Sequence, residues 1–417
     1  MINSIHIKNF KSVVDLELEI GNFNVIIGEN GAGKSNILEG IAFGAAASAN
    51  KLDFEFLGSR GLRISNPETM FSAFNDLPEN KKIFIEFIDK LKDINYYYNI
   101  INPENNKWVI EDRFIHSTEV KDLVEKLVFS NSKDKKRAIS EIENDFEFVE
   151  FIKKLDKITS DIRKYLINDD SKDEIGEKEK NFFKKTFEEV LSKRISDDYI
   201  SNFIIYSPEQ TSLRKFEETN QIYPLGIKGE GIFQYLKNLD ISKAKNKKLI
   251  TEIKKNMLLL DWYEDFEIPD NLLKNETSIS IRDRFLKHDL KSFDQRSTNE
   301  GFLFILFYSI LFCSKDTPSF FAIDNIDSGL NPKLTKYLIQ NLAKLAKKHN
   351  KQVIVTTHSP AVLDGLNLKD DSQRLFVAKR NDEGYTVTKR ILYKSERRMK
   401  LSEIWTNGFI GGLPENF

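Results

Sequence analysis

The chain has 417 residues, 40% of them hydrophobic and 30% charged, and a formal net charge of -1. That length carries two or three domains with buried cores, and that charge excludes a protein drawn as a whole onto nucleic acid or anionic membrane. The single cysteine, Cys313, excludes an internal disulfide framework and fits a reducing, cytoplasmic compartment.

The N-terminus alternates apolar and polar residues from the start, a strand pattern rather than the apolar core of a signal peptide. No run of roughly 20 apolar residues exists, so no membrane span and no membrane partner is expected. Ile5, Ile7 and Phe10 mark a first strand, and Leu16, Leu18 and Ile20 a second. Val25 to Ile27 is a short continuous apolar run, the signature of a strand covered on both faces. A helix is predicted from Lys34 to about Ala47. Lys82 to Ile88 and Tyr96 to Ile101 read as strands of an antiparallel part of the same unit.

From 116 to about 197 glycine and proline almost vanish, charge rises, and apolar residues recur at helical spacing, as in Phe146, Phe148, Val149, Phe151 and Ile152. No heptad persists, so a helical bundle is expected rather than a long coiled coil, with a polar loop over Asp169 to Lys180. Globular patterning returns with a strand at Phe203 to Tyr206. Residues 231–260 read as helical, and Trp262 to Ile268 and Ser278 to Ile281 as strands. Phe302 to Cys313 is a buried helix, with Cys313 a small core residue. Ser319 to Ile323 and Val353 to Thr357 are buried strands flanking an amphipathic helix with Leu334, Leu338, Ile339, Leu342 and Leu345 on one face. Two strands (Leu375 to Ala378, Tyr385 to Leu392), a short helix near Leu401 to Trp405 and an apolar, glycine-rich tail expected to dock complete the chain. The expected division is an N-terminal lobe (1–115), a mainly helical insertion (116–200), a C-terminal lobe (201–370), and terminal strands with the tail (371–417).

Gly28-Glu29-Asn30-Gly31-Ala32-Gly33-Lys34-Ser35 fits the P-loop pattern G-x-x-x-x-G-K-[ST], with Asn36 following. Its glycines let successive backbone N–H groups turn inward as an anion cradle, and the helix after it points its positive end at the phosphates. Lys34 supplies a point charge for the outer phosphates, and Ser35 a hydroxyl for Mg2+. Asp324, ending an apolar strand, has Walker B placement as a second carrier of Mg2+. His358, ending the next buried strand, is placed to sense the γ-phosphate. ATP and Mg2+ are therefore the expected cofactors.

In order, Ile5-x-Ile7-x-Asn9-Phe10-Lys11-Ser12, the P-loop, the Walker B strand with Gly329-Leu330-x-Pro332, and Thr356-Thr357-His358-Ser359-Pro360 resemble the ATP-binding-cassette heads of the RecF, SMC and OLD group. The resemblance covers roughly residues 1–115 and 200–370. It implies an α/β P-loop NTPase fold of ABC-ATPase type, a mixed sheet with flanking helices, carrying the helical insertion. It also implies a signature that contacts nucleotide held by a second protomer. Ser297-Thr298-Asn299-Glu300-Gly301 is the best match, with Ser297 and Gly301 the candidate donors and Ser328 to Asn331 the dimer-facing D-loop. A homodimer or higher homo-oligomer follows.

One departure matters. Such heads usually place a glutamate after the Walker B aspartate, and here stands Asn325. An amide holds a water but cannot accept its proton, so slow hydrolysis is expected, with Asp327 as a partial substitute. Arg60 and Arg63 read as solvated loop residues, with phosphate contact or a Q-loop role as the alternative, and Arg282 and Arg284 as local salt-bridge partners, with DNA contact as the alternative. The densest basic run, Lys389, Arg390, Lys394, Arg397, Arg398 and Lys400, is a candidate surface for nucleic acid or an acidic partner, with a solvated face as the equal alternative. After His358 about 60 residues remain, too few for the TOPRIM nuclease domain of OLD nucleases. Asp370-Asp371 reads as a turn. The chain thus looks like a stand-alone ATPase whose effector, a nuclease or toxin, is encoded separately. In style it resembles ATPases of bacterial anti-phage systems, such as the Septu and PARIS ATPases and AAA-type abortive-infection proteins. The alternative is a RecF-like DNA-repair ATPase.

Overall fold

The computed structural model describes residues 1–417 apart from 76, 78–80, 92, 103–106, 118–197, 216–221, 269–278, 287–292, 295–296, 396–398 and 414–417. The expected helical insertion, with its loop at Asp169 to Lys180, lies almost wholly outside the described residues.

Two sheets sandwich one helix. A five-stranded antiparallel sheet has the order β2-β1-β4-β5-β6, from β1 (Ser4–Phe10), β2 (Val13–Glu19), β4 (Lys82–Asp89), β5 (Ile94–Ile101) and β6 (Val109–Ser117). A six-stranded sheet has the order β13-β12-β3-β11-β10-β7, from β3 (Phe23–Ile27), β7 (Ile205–Tyr206), β10 (Phe320–Ile323), β11 (Gln352–Thr356), β12 (Gln373–Arg380) and β13 (Thr386–Ile391). Its pairs are parallel except β12 with β13.

The continuous apolar runs have a direct cause. Phe23, Val25 and Ile27 of β3, Phe321 and Ile323 of β10, and Val353 and Val355 of β11 enter one core cluster. The alternate residues Ile26, Phe320, Ala322 and Ile354 enter the other. Side chains alternate across a strand, so a sheet with cores on both faces needs apolar residues at both parities.

Helix α1 (Lys34–Ser48) lies between the sheets and is buried at nearly every position. A Cβ added at Gly44 would stand 2.5 Å from the Ile85 side chain and 2.9 Å from Phe87. The helix therefore reaches the five-stranded sheet only because this face is bare. On the other side of the six-stranded sheet pack α2 (Ile232–Asn238), α3 (Ala244–Met257), α4 (Glu300–Cys313) and α5 (Pro332–Lys348).

Several expectations change. Residues 231–260 form two helices, α2 and α3, because Asp240 accepts from the Ser242 N–H at 3.1 Å in a turn that breaks the run. The strand expected over Phe203 to Tyr206 pairs only at Ile205–Tyr206. β6 extends the antiparallel sheet to Ser117, past the expected boundary at 115. β8 (Tyr263–Glu267) and β9 (Ser280–Asp283) form a separate antiparallel pair. The C-terminal helix α6 (Leu401–Thr406) buries Trp405, and Ile410 and Leu413 pack on the core, so the described part of the tail docks as expected. No described helix is long and apolar enough to cross a membrane.

Candidate functional site

The P-loop runs from the end of β3 into α1, and its conformation requires its glycines. Gly31 and Gly33 adopt φ of 82° and 94°, the left-handed region that side chains resist. Gly33 is the N-cap of α1 and supplies no side-chain cap, so the first-turn N–H groups face the loop. Lys34 is only 5% exposed. Its ammonium donates to the carbonyls of Gly28 and Glu29, both at 2.8 Å. Burial lowers its pKa to about 8, against the opposing pull of the Asp324 and Glu29 carboxylates. A desolvated cation at an uncapped helix start suits a phosphate group.

Asp324 follows β10, at the strand's carboxyl end. One carboxylate oxygen accepts from Ser35 Oγ at 3.1 Å, and the other from Thr356 Oγ1 on β11. The Ser35 hydroxyl and this carboxylate are hard oxygen donors in direct contact, which suits a divalent cation of the Mg2+ kind. Thr357 donates to Asp327, and the Ser359 N–H donates to Thr357 Oγ1 at 2.9 Å. The β11 end thereby ties both carboxylates to the loop carrying His358. Burial and the nearby Lys34 hold the His358 pKa below its usual value. At neutral pH its ring is uncharged, with one nitrogen to donate and one to accept.

These groups line one cavity of about 350 Å³, with Asn30, Gly31, Gly33, Lys34, Ser35, Asn36, Asp324, Asn325 and His358 on its wall. Asn325 occupies it at φ 54°. Its backbone N–H is held by Thr356 Oγ1 at 3.0 Å. Asparagine tolerates that left-handed geometry better than glutamate does.

Two arginines join the wall: Arg63, read from sequence as a solvated loop residue with phosphate contact as the alternative, and Arg380, which the sequence does not single out. Arg380, on β12, donates through Nε to the Gly31 carbonyl at 2.9 Å. Arg63 reaches the cavity while its Nε donates to Glu39 at 2.5 Å. Glu39 is buried in α1 and also pairs with Lys11. Arg60, its neighbour in sequence, points elsewhere, stacking over Phe56 at 4.6 Å. Arg282 pairs with Asp265 and Glu267, each at 3.1 Å, and Arg284 donates to the Tyr263 carbonyl at 3.2 Å. In the basic run Arg390 pairs with Asp371, and Arg397 and Arg398 lie outside the described residues. Asp370 and Asp371 sit in a turn, as expected.

Ser297 and Gly301 are not in the P-loop cavity. Ser297 N–H and Oγ both donate to Asp294, at 3.1 and 3.3 Å. Asn299 caps α4, accepting from the Phe302 N–H at 2.9 Å. Gly301 lines a second cavity of about 620 Å³ with Leu260, Trp262, Gly329, Asn331 and Tyr337. The chain thus brings the signature match and the D-loop to one surface, separate from the P-loop cavity.

The family described as "AAA domain, putative AbiEii toxin, Type IV TA system" matches residues 23–364. An uncharacterized protein of Methanocaldococcus jannaschii is 54% identical over 43 residues, 10% of this chain and 20% of that protein. An ATP/GTP phosphatase of Helicobacter pylori is 29% identical over 140 residues, 32% of this chain and 37% of that protein. The chain therefore matches well under two thirds of either relative. Among solved structures, an SMC head bound to the C-terminal winged-helix domain of ScpA superposes with a TM-score of 0.50 at 14% identity, covering 94% of this chain and 98% of that one. That likeness concerns the fold. The family match spans most of the chain, and the chain belongs to this AAA-domain family, with a fold like that of an SMC head.

Proposed function

We propose that this chain binds ATP with Mg2+ in the P-loop cavity and uses it as a slow switch. Lys34 and the P-loop amides hold the phosphates, Ser35 and Asp324 carry Mg2+, and His358 reports on the γ-phosphate. Two copies close head to head, Ser297 and Gly301 of each addressing the nucleotide of the other, with Ser328 to Asn331 between them. The lobes at 1–115 and 201–370 form the head, and the 116–200 insertion and 371–417 segment attach to it. The closed state controls a separately encoded effector, a nuclease or toxin, in defence against phage in the bacterial cytoplasm. The observation that carries the switch reading is Asn325 on the cavity wall beside Asp324, where a general base is wanted. An amide there positions water without taking its proton, leaving Asp327, already engaged by Thr357, as a weak substitute.

The test pairs ATP affinity by calorimetry with turnover and mass by light scattering. Tight binding, ATP-dependent dimerisation and turnover well below one per second support the proposal. Turnover of several per second sinks the switch.

The DNA-repair reading draws on one feature. Lys247, Lys248 and Lys255 of α3 and Lys344 and Lys348 of α5 line one groove, with Glu252 its only acidic residue among the described residues. That reading requires strongly salt-dependent DNA binding and DNA-stimulated turnover. A protein that shows neither is left with the effector reading.

A further inference from the structure

Cys313 reads from sequence as a core residue, and it is buried. The fold gives it company that the sequence hides. Glu252 of α3, Cys313 at the end of α4 and His349 at the end of α5 bring one donor atom each within 4.8 Å of one another. Among the described residues this is where three such donors converge. His349 Nε2 lies 2.9 Å from Glu252 Oε1, and Lys348 Nζ donates to the same oxygen at 2.7 Å. Asn256 Nδ2 donates to Cys313 Sγ at 3.5 Å. Glu252 and Lys348 also line the groove of about 910 Å³ between α3 and α5, which opens a path from solvent to the cluster.

We propose that Glu252, Cys313 and His349 form a zinc site, with water from the groove as fourth ligand. The donor set matches the metal. Sulfur, imidazole nitrogen and carboxylate oxygen together suit Zn2+ over Mg2+ or Ca2+, which take oxygen. Ligand bonds of about 2.0 to 2.3 Å in a tetrahedron put donor atoms about 3.5 Å apart, so His349 Nε2 and Glu252 Oε1, now 2.9 Å apart, open slightly, while donors as far apart as 4.8 Å close by about an ångström. The charges balance: one thiolate and one carboxylate neutralise the ion, with histidine neutral, which favours a half-buried site. On binding, the Cys313 S–H bond breaks, an S–Zn bond forms, and the proton leaves to solvent. The Lys348 ammonium, on an exposed side chain, swings off Glu252. Asn256 stays beside the sulfur. Bound metal ties α4, which starts at the signature match, to α5, which starts at the D-loop, through their far ends.

The experiment uses the untagged full-length protein, stripped with chelator. Zn2+ is titrated against a colorimetric chelator, and Co2+ serves as a spectroscopic stand-in. The site predicts one equivalent of Zn2+, a tetrahedral Co2+ ligand-field spectrum with a sulfur-to-cobalt charge-transfer band, and a raised thermal midpoint with metal. Cys313→Ala removes the charge-transfer band. His349→Ala, at a partly exposed position, and Glu252→Gln each weaken Zn2+ by at least about tenfold, and they keep the test sharp should the core variant misfold. Absence of stoichiometric binding overturns the proposal. So does Zn2+ binding without the charge-transfer band, or binding unchanged in His349→Ala and Glu252→Gln.

Discussion

The P-loop cavity and the signature surface are built on opposite principles. In the cavity the charged groups already have partners within the chain: Lys34 on its own loop carbonyls, Asp324 between Ser35 and Thr356, Arg63 on Glu39 and Arg380 on the Gly31 carbonyl. On the signature surface the polar groups are spent on local caps, with Asn299 closing α4 and Asn331 closing α5. Its two glycines also differ. A Cβ at Gly329 would stand 2.6 Å from Phe304 at φ 72°, so the fold itself demands glycine there. A Cβ at Gly301 meets nothing closer than 3.5 Å. In the first turn of α4 glycine is a poorer choice than alanine by up to about 1 kcal/mol, and among the described residues no neighbour crowds the position. The cavity is preorganised for a ligand, while the bare position at 301 points to a demand from outside the chain.

The largest expected effect probes the chemistry of the cavity. Asn325→Glu supplies the missing base, and turnover is expected to rise by about 10²-fold or more, the range of general-base catalysis. The left-handed backbone at 325 should cost the variant about 1 kcal/mol of stability. Steady-state rates and denaturant midpoints on one preparation check both. An unchanged rate would show that the amide is not what limits hydrolysis.

Lys34→Ala comes next. Removing a desolvated cation from two or more phosphate contacts is expected to weaken ATP by about 100-fold, some 3 kcal/mol. Calorimetry at a chain concentration where the protein is monomeric isolates the cavity from the second surface. A loss under threefold would move the phosphates off the loop. Gly301 divides the two regions more finely. Gly301→Ala should fold and gain up to about 1 kcal/mol, whereas Gly301→Glu would, in the proposed dimer, set a negative charge toward the γ-phosphate held by the other copy. The glutamate variant should retain monomer ATP affinity within about twofold, because residue 301 is not in the cavity, and fail to dimerise with ATP by light scattering. Dimerisation equal to wild type in that variant would break the comparison.

Much of the cavity was legible because its parts are local. A P-loop is eight consecutive residues, and the buried strands β3, β10 and β11 show as unbroken apolar runs because cores cover both faces. Arg380 was not legible, and Arg63 only as an alternative reading, since only the fold brings β12 and the loop after α1 to one wall. β6 escaped notice for another reason: Glu111, Asp112 and Arg113 stand together in its middle, so neither an apolar run nor a clean alternation shows. The break between α2 and α3 has neither glycine nor proline, only the Asp240 turn. The Glu252, Cys313 and His349 cluster was invisible because its residues lie on three different helices or their ends, with no metal-binding spacing.

The smallest effect is a slope. Lys34 in the folded chain has a pKa of about 8, below the ordinary 10.5. Between those values the unfolded chain binds more protons at this site, so folding stability rises with pH across the window. Lys351, also near 8, contributes in the same direction. The buried hydroxyls of Tyr206 and Tyr308 and the Cys313 thiol are pushed up and oppose the rise at the alkaline end. Those opposing groups are common to wild type and Lys34→Met, so subtracting the two profiles isolates Lys34. The wild type should show the steeper rise above pH 8, and saturating ATP should flatten it toward the variant, because phosphate beside the ammonium restores its charge. Denaturant midpoints at several pH values, with and without ATP, measure this. A difference profile that is flat without nucleotide would mean that Lys34 stays fully charged in the empty cavity, and the preorganisation contrast with the signature surface would lose its electrostatic half.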